Sequence, residues 1–98
     1  MTETEQIAKV CEWLEIQWQD PYETSKEWWS CEGWRRALEK WKRRPAEYSW
    51  IKMVWVGDEC RVFLFGDENQ YGAGTADTPS AAALAALTKA MEKEHESD

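Results

Sequence analysis

Tyr48-Ser49-Trp50-Ile51-Lys52-Met53-Val54-Trp55-Val56-Gly57-Asp58-Glu59-Cys60-Arg61-Val62-Phe63-Leu64-Phe65 decides the fold of this chain. Its period is two. Tyr48, Trp50, Lys52, Val54 and Val56 fall on one side of an extended strand, and Ser49, Ile51, Met53 and Trp55 on the other. Gly57-Asp58 suits a two-residue hairpin turn whose first central residue needs a positive φ. A second strand follows, with Cys60, Val62 and Leu64 facing one way and Arg61, Phe63 and Phe65 the other. Both sides of this hairpin are largely apolar, whereas an antiparallel sheet with one wet face alternates apolar with polar. Either helices cover both faces, or one face is a binding surface.

Downstream, Gly66 to Asn69 reads as a turn, and Gln70 to Ala76, thinned by Gly72 and Gly74, as a short third strand. Thr78-Pro79 supplies an N-cap followed by proline at the first helical position. Leu84, Leu87 and Met91 make the buried stripe of a closing helix, whose alanines allow close approach to the sheet. The charged tail Glu92 to Asp98 is expected to fray.

Upstream, the period is helical. From Glu3 to Trp18 the apolar residues Ile7, Val10, Cys11, Leu14 and Trp18 recur at steps of three and four, behind a capping box of Thr2 with Glu5. Gln19 to Ser25, opened by Asp20-Pro21, is turn-prone. In a second helical pattern Cys31, Trp34, Leu38 and Trp41 share a face, with Arg35, Arg36, Glu39, Lys40, Lys42 and Arg43 around the rest. Thr24 with Glu27 offers its start and Pro45 its end. Gly33 inside it costs about 1 kcal/mol relative to Ala, so the first turn is expected as a separate piece. The fold class is α+β: two N-terminal helices, a three-stranded antiparallel sheet and a C-terminal helix, with the helices packed on the sheet in one domain over residues 1–98.

Composition narrows the chemistry. The formal net charge of −7 disfavours general attraction to nucleic acid or anionic lipid. The longest apolar run, Ala81 to Leu87, is far short of the roughly 18 residues of a membrane span. The acidic Met1 to Gln6 lacks the basic and apolar pattern of a secretory signal, so a cytoplasmic location is expected. Cys11, Cys31 and Cys60 are spread without the close pairs of zinc or redox centres. The one histidine, His95, lies in the charged tail. No catalytic residue, metal site or cofactor is therefore assigned, and an enzyme is not expected. Gly72-x-Gly74 precedes a helix, as a phosphate loop does, but lacks a third glycine and a lysine; close packing explains it equally.

The second half, from about Trp50 to Glu94, resembles the phage ABA sandwich domain of small phage and prophage proteins. The likeness lies in a tryptophan-led strand, a glycine turn, an aromatic second strand, and the run Tyr71-Gly72-Ala73-Gly74-Thr75-Ala76-Asp77-Thr78-Pro79 leading into an alanine-rich helix. The resemblance implies helices on either side of a sheet and a phage or prophage origin, and it carries over no active-site residue. The strand order is also similar to that of the double-stranded RNA-binding domain. Where that domain begins its last helix with lysines, this chain has Asp77, Thr78, Pro79 and Ser80.

Eight tryptophans are the most informative feature. Trp18, Trp34, Trp41 and one of Trp50 or Trp55 are expected in the core. Trp28 and Trp29 are adjacent, so on a regular helix both cannot point fully inward, and at least one is expected to be partly exposed. An exposed Trp is a favoured interface anchor. The leading expectation is thus an acidic phage-type protein that occludes a host or defence protein, an anti-defence or anti-CRISPR inhibitor. Tyr22, Trp28 and Trp29 would be its anchors, with Glu23 and Glu27 steering toward a basic, nucleic-acid-binding surface. Charge is uneven, however: residues 31–45 carry six bases against two acids. The alternatives are an RNA- or nucleotide-binding patch of Arg35, Arg36, Lys40, Arg43 and Arg44, or a homodimer through the spare sheet face.

Overall fold

A computed structural model describes residues 2–16, 25–43, 49–66 and 69–96. Their order is the expected one: α1 (Glu3–Trp13), α2 (Lys26–Trp28), a π-helical turn (Trp29–Gly33), α3 (Trp34–Lys42), strands β1 (Ser49–Val56), β2 (Glu59–Gly66) and β3 (Asn69–Ala76), then α4 (Pro79–Glu96). The strands form an antiparallel meander in the order β1-β2-β3, which leaves β1 as one edge.

Thr2 Oγ1 accepts from the Glu5 N–H at 3.2 Å, so α1 starts where the sequence indicates. It ends five residues sooner than the expected Trp18. Glu15 takes a φ of 60°, the Ile16 N–H donates to the Cys11 carbonyl, and the Glu15 N–H to that of Glu12. This pattern closes a helix by satisfying its last carbonyls, with Glu15 in the position where glycine is usual.

α2, the π turn and α3 run on as a single rod from Lys26 to Lys42, so Gly33 does not detach the first turn. Ser25, one residue later than Thr24, is the N-cap, its hydroxyl accepting from the Trp28 N–H. The π turn, in which the Trp34 N–H reaches back to the Trp29 carbonyl, inserts an extra residue into the helical repeat. That shifts the buried stripe to Trp29, Gly33, Ala37, Leu38 and Trp41 and turns Cys31, expected inside, out to solvent.

The hairpin closes as read. Gly57 has φ 64°, and Val56 faces Glu59 across the two-residue turn. Cys60, Val62 and Leu64 point to the helices and are fully buried. Against them lies α4, its N-terminus capped by Thr78 Oγ1, which accepts from the Ala81 N–H. Gly72 and Gly74 bring β3 so near α4 that a Cβ on either would meet the backbone of Ala86 or of Ala82. Close packing, rather than a phosphate loop, is what the Gly72-x-Gly74 spacing serves. α4 runs on through Glu96, past the point where fraying was expected, and Lys93 Nζ donates to the Gln70 carbonyl at 2.8 Å.

One apolar cluster joins α1, the rod, α4 and the inner sides of β2. Among the described residues the helices pack on that one side, so the arrangement with helices on either side of the sheet is not seen. A shortest molecular dimension of 23 Å is the thickness of two layers.

Candidate binding surface

Trp28 and Trp29 are 1% and 2% exposed, so neither is a surface anchor. The expectation that two adjacent indoles cannot both turn inward holds for an α-helix, and the chain departs from one at this point. Trp28 folds back along its own helix over Gly33, where a Cβ would lie 2.6 Å from the indole, and its Nε1 donates to Glu32 Oε1 at 3.0 Å. Trp29, the first residue of the π turn, reaches across to α4 and donates through Nε1 to the Ser80 carbonyl at 2.7 Å. Both indoles thus satisfy their polar atom while burying their area. Glu27 is exposed on the rod; Tyr22 and Glu23, like Trp18, lie outside the described residues.

The exposed indoles are instead both on β1. Trp50 is 47% exposed, Trp55 55%, Val56 49% and Met53 38%. One of Trp50 and Trp55 is expected in the core from the sequence, but Trp50 lies on the side of β1 turned away from the helices, and on the other side α4 covers β2 and β3 while α3 reaches only part of β1, which leaves Trp55 open. Trp41, by contrast, is fully buried, and Trp34 is half-buried against the core. On the helix-free face Trp50 stacks on its cross-strand neighbour Phe65, with ring centroids 4.1 Å apart and planes 9° from parallel. Phe63 lies 6.4 Å from Phe65, and Val54 and Ala73 continue the apolar surface. Arg61 sits among them with its guanidinium 3.7 Å from Glu59.

On the opposite side of β1, α3 and the strand bound a trough of about 510 Å³. Trp34, Leu38, Ile51 and Met53 form its floor and Arg35 and Lys42 its basic rim. Arg35 lies over the Trp34 ring, 5.2 Å from its centroid. Glu39, the acid at this rim, is engaged by Arg43 at 3.3 Å. The basic residues singled out in the sequence therefore divide between two stripes of α3. Arg35 joins Lys42 at the trough, Arg36 and Lys40 lie exposed away from it, and Arg43 reaches it only through Glu39; Arg44 falls outside the described residues.

No family model, curated protein or solved structure matches this chain. The likeness to the phage ABA sandwich domain rests on the residues from Trp50 to Glu94 alone.

Among the described residues no group of three or more His, Cys, Asp or Glu could hold a metal ion, and no helix is long and apolar enough to cross a membrane. Cys11 and Cys60 are buried, and burial pushes the Cys60 thiol above its usual range. Cys31 is exposed. Native protein treated with iodoacetamide will therefore gain one adduct, on Cys31, and urea-unfolded protein three, as read by intact mass. Fast modification of Cys11 or Cys60 without urea would show that the core opens readily.

Proposed function

We propose that this chain is a protein-binding module whose contact surface is β1 and the helix-free face beside it. The observation that carries this reading is the exposure of Trp50, Met53, Trp55 and Val56 on one edge strand. Two half-exposed indoles offer roughly 200 Å² of apolar area. At about 25 cal/mol per Å² that is worth on the order of 5 kcal/mol before the costs of association are met. A long, regular, apolar edge strand that is unpaired among the described residues invites pairing with another chain, and folded proteins commonly blunt such edges with charge or proline. β1 carries one charge, Lys52, and no proline. Occlusion of a partner's surface, the mode expected of a phage-type inhibitor, is compatible with this placement, with Trp50 and Trp55 as the anchors in place of Trp28 and Trp29.

The test is affinity capture from a lysate of the organism that makes the chain, comparing the wild type with the double variant Trp50→Ala, Trp55→Ala. Both side chains stand outside the core, so the variant will unfold cooperatively with a stability loss of about 1 kcal/mol, chiefly from the lost Trp50–Phe65 stacking. A stoichiometric partner of the wild type will fall at least tenfold in recovery on the variant. Equal recovery by both proteins would remove β1 from the contact.

Binding of RNA or a nucleotide is the second reading, favoured by the aromatic trio Trp50, Phe63 and Phe65 beside Lys52 on an open sheet face. Steep loss of affinity between low and moderate salt would mark it.

A further inference from the structure

The trough between α3 and β1 runs alongside a strand whose outer edge is unpaired among the described residues, and the hairpin fixes which backbone groups that edge presents. A two-residue turn closes on a hydrogen-bonded pair, here Val56 with Glu59. Pairs bonded in this way alternate along an antiparallel ladder, so Trp50, Lys52, Val54 and Val56 spend their N–H and C=O groups on β2. The N–H and C=O groups of Ile51, Met53 and Trp55 point outward. They form a ladder ready for a fourth strand.

We infer that this edge accepts an extended acidic segment of another protein, which adds to β1 as a fourth strand between the trough and the helix-free face. The proposal rests on β1 being the contact surface and adds the chemistry of what it contacts. Strand addition draws its affinity from main-chain bonds and its selectivity from the side chains on either side. On the helix side an incoming strand meets Trp34, Leu38 and Met53 with Arg35 and Lys42 at the rim. On the other it meets Trp50 and Val54 with Lys52. Among the described residues no carboxylate pairs with Arg35 or Lys42, because Glu39 is held by Arg43. The two cations on the helix side select a strand that alternates acidic with aliphatic residues, its acids turned to Arg35 and Lys42 and its aliphatic side chains to Trp50 and Val54. The net charge of −7 is distributed elsewhere: residues 1–30 hold seven acids against two bases. Screening over roughly 8 Å at physiological salt keeps those acids from governing the trough.

A second copy of the chain fits less well. The antiparallel self-pairing that matches most residues without setting Lys52 opposite Lys52 centres on Met53, and it places both copies of α3 on the same side of the joined sheet. Arg35 and Lys42 of one copy would then face the same cations of the other across a narrow gap.

The experiment uses a fluorescein-labelled heptapeptide, Glu-Leu-Glu-Val-Glu-Leu-Glu, long enough to span Trp50 to Val56, and its counterpart with lysine for every glutamate. Anisotropy titrations will show the acidic peptide bound at least tenfold more tightly than the basic one. Methylating the main-chain nitrogens that face β1 will abolish binding. In the protein, Met53→Pro removes an outward N–H and leaves the bonds to β2 in place; it will weaken binding at least tenfold while the circular dichroism spectrum is kept. Should that variant unfold, the exposed double substitution Arg35→Glu, Lys42→Glu decides the matter, because it will reverse the preference in favour of the lysine peptide. Equal binding of both peptides, indifference to methylation, or no binding at 1 mM would each overturn the proposal. So would a dimer in sedimentation equilibrium, or capture of a single-stranded RNA decamer, in a protein that ignores the peptide. If the peptide fails while Trp50→Ala, Trp55→Ala still loses the captured partner, strand addition is wrong and the β1 contact surface stands; if both fail, neither does.

Discussion

Gly74→Ala will separate the closing helix from the sheet and cost this protein about 3 kcal/mol or more, at or above the upper end of what overpacking does. The added methyl would lie 2.6 Å from the Ala86 nitrogen, 2.8 Å from the Ala85 Cβ and nearer still to the Ala82 carbonyl oxygen. Two of those three are backbone atoms in the middle of a regular helix, so no side chain can swing aside and α4 itself must move. Gly72 stands in the same relation to Ala86 and Ala90 one turn further on. The double substitution Gly72→Ala, Gly74→Ala will cost about 6 kcal/mol or more, a large share of the roughly 5 to 15 kcal/mol that holds a domain folded, and will lower the urea midpoint further than either single change. Urea denaturation followed by circular dichroism measures the single variant. A midpoint equal to that of the wild type would mean that α4 and β3 are not in the described contact.

Trp29→Ala will destabilise the fold by about 3 to 5 kcal/mol, the usual range for emptying a buried aromatic site. The indole is 2% exposed, meets Trp28 edge-on at 6.3 Å, and ties the rod to α4 through Ser80. Trp29→Phe keeps most of the apolar volume and loses the hydrogen bond, so it will recover all but roughly 1 to 2 kcal/mol. Trp55→Ala, on the open strand, will change stability by about 0.5 kcal/mol or less. The contrast between Trp29→Ala and Trp55→Ala in one urea series reads out which indoles hold the fold together. Equal losses for the two would contradict the burial described for them.

The parts of the fold legible in the sequence are those set by local periodicity. The two-residue alternation from Ser49 to Phe65 fixed the hairpin and its two faces, Gly57 its turn, and Thr78-Pro79 the start of α4. The α-helical repeat from Ile7 to Leu14 fixed the buried face of α1. Each depends on residues within a few positions of one another, where backbone geometry leaves few choices. The candidate surface was legible in one respect: two apolar faces on one hairpin require either cover on both or a partner. The strand that carries the surface was named, but not as the surface.

The expectation that one of Trp28 and Trp29 is exposed rests on regular α-helical geometry at that pair, which the chain does not keep. With 100° between neighbours Trp28 and Trp29 cannot share a core. The π turn and the missing side chain of Gly33 remove that constraint, and a sequence pattern registers neither until the tertiary contacts select them. The same inserted residue moved Cys31 to the surface.

By itself, then, the sequence determined the order and type of the elements, the pairing of the strands and the side of each strand that a residue occupies, because these follow from repeats along the chain. Tertiary structure alone decided which tryptophans are covered. That depends on which face of the sheet the helices take and how far they extend: α4 rests where Gly72 and Gly74 let two backbones meet, over β2 and β3, leaving Trp55 on the strand it does not reach and Trp50 on the face that no described helix covers.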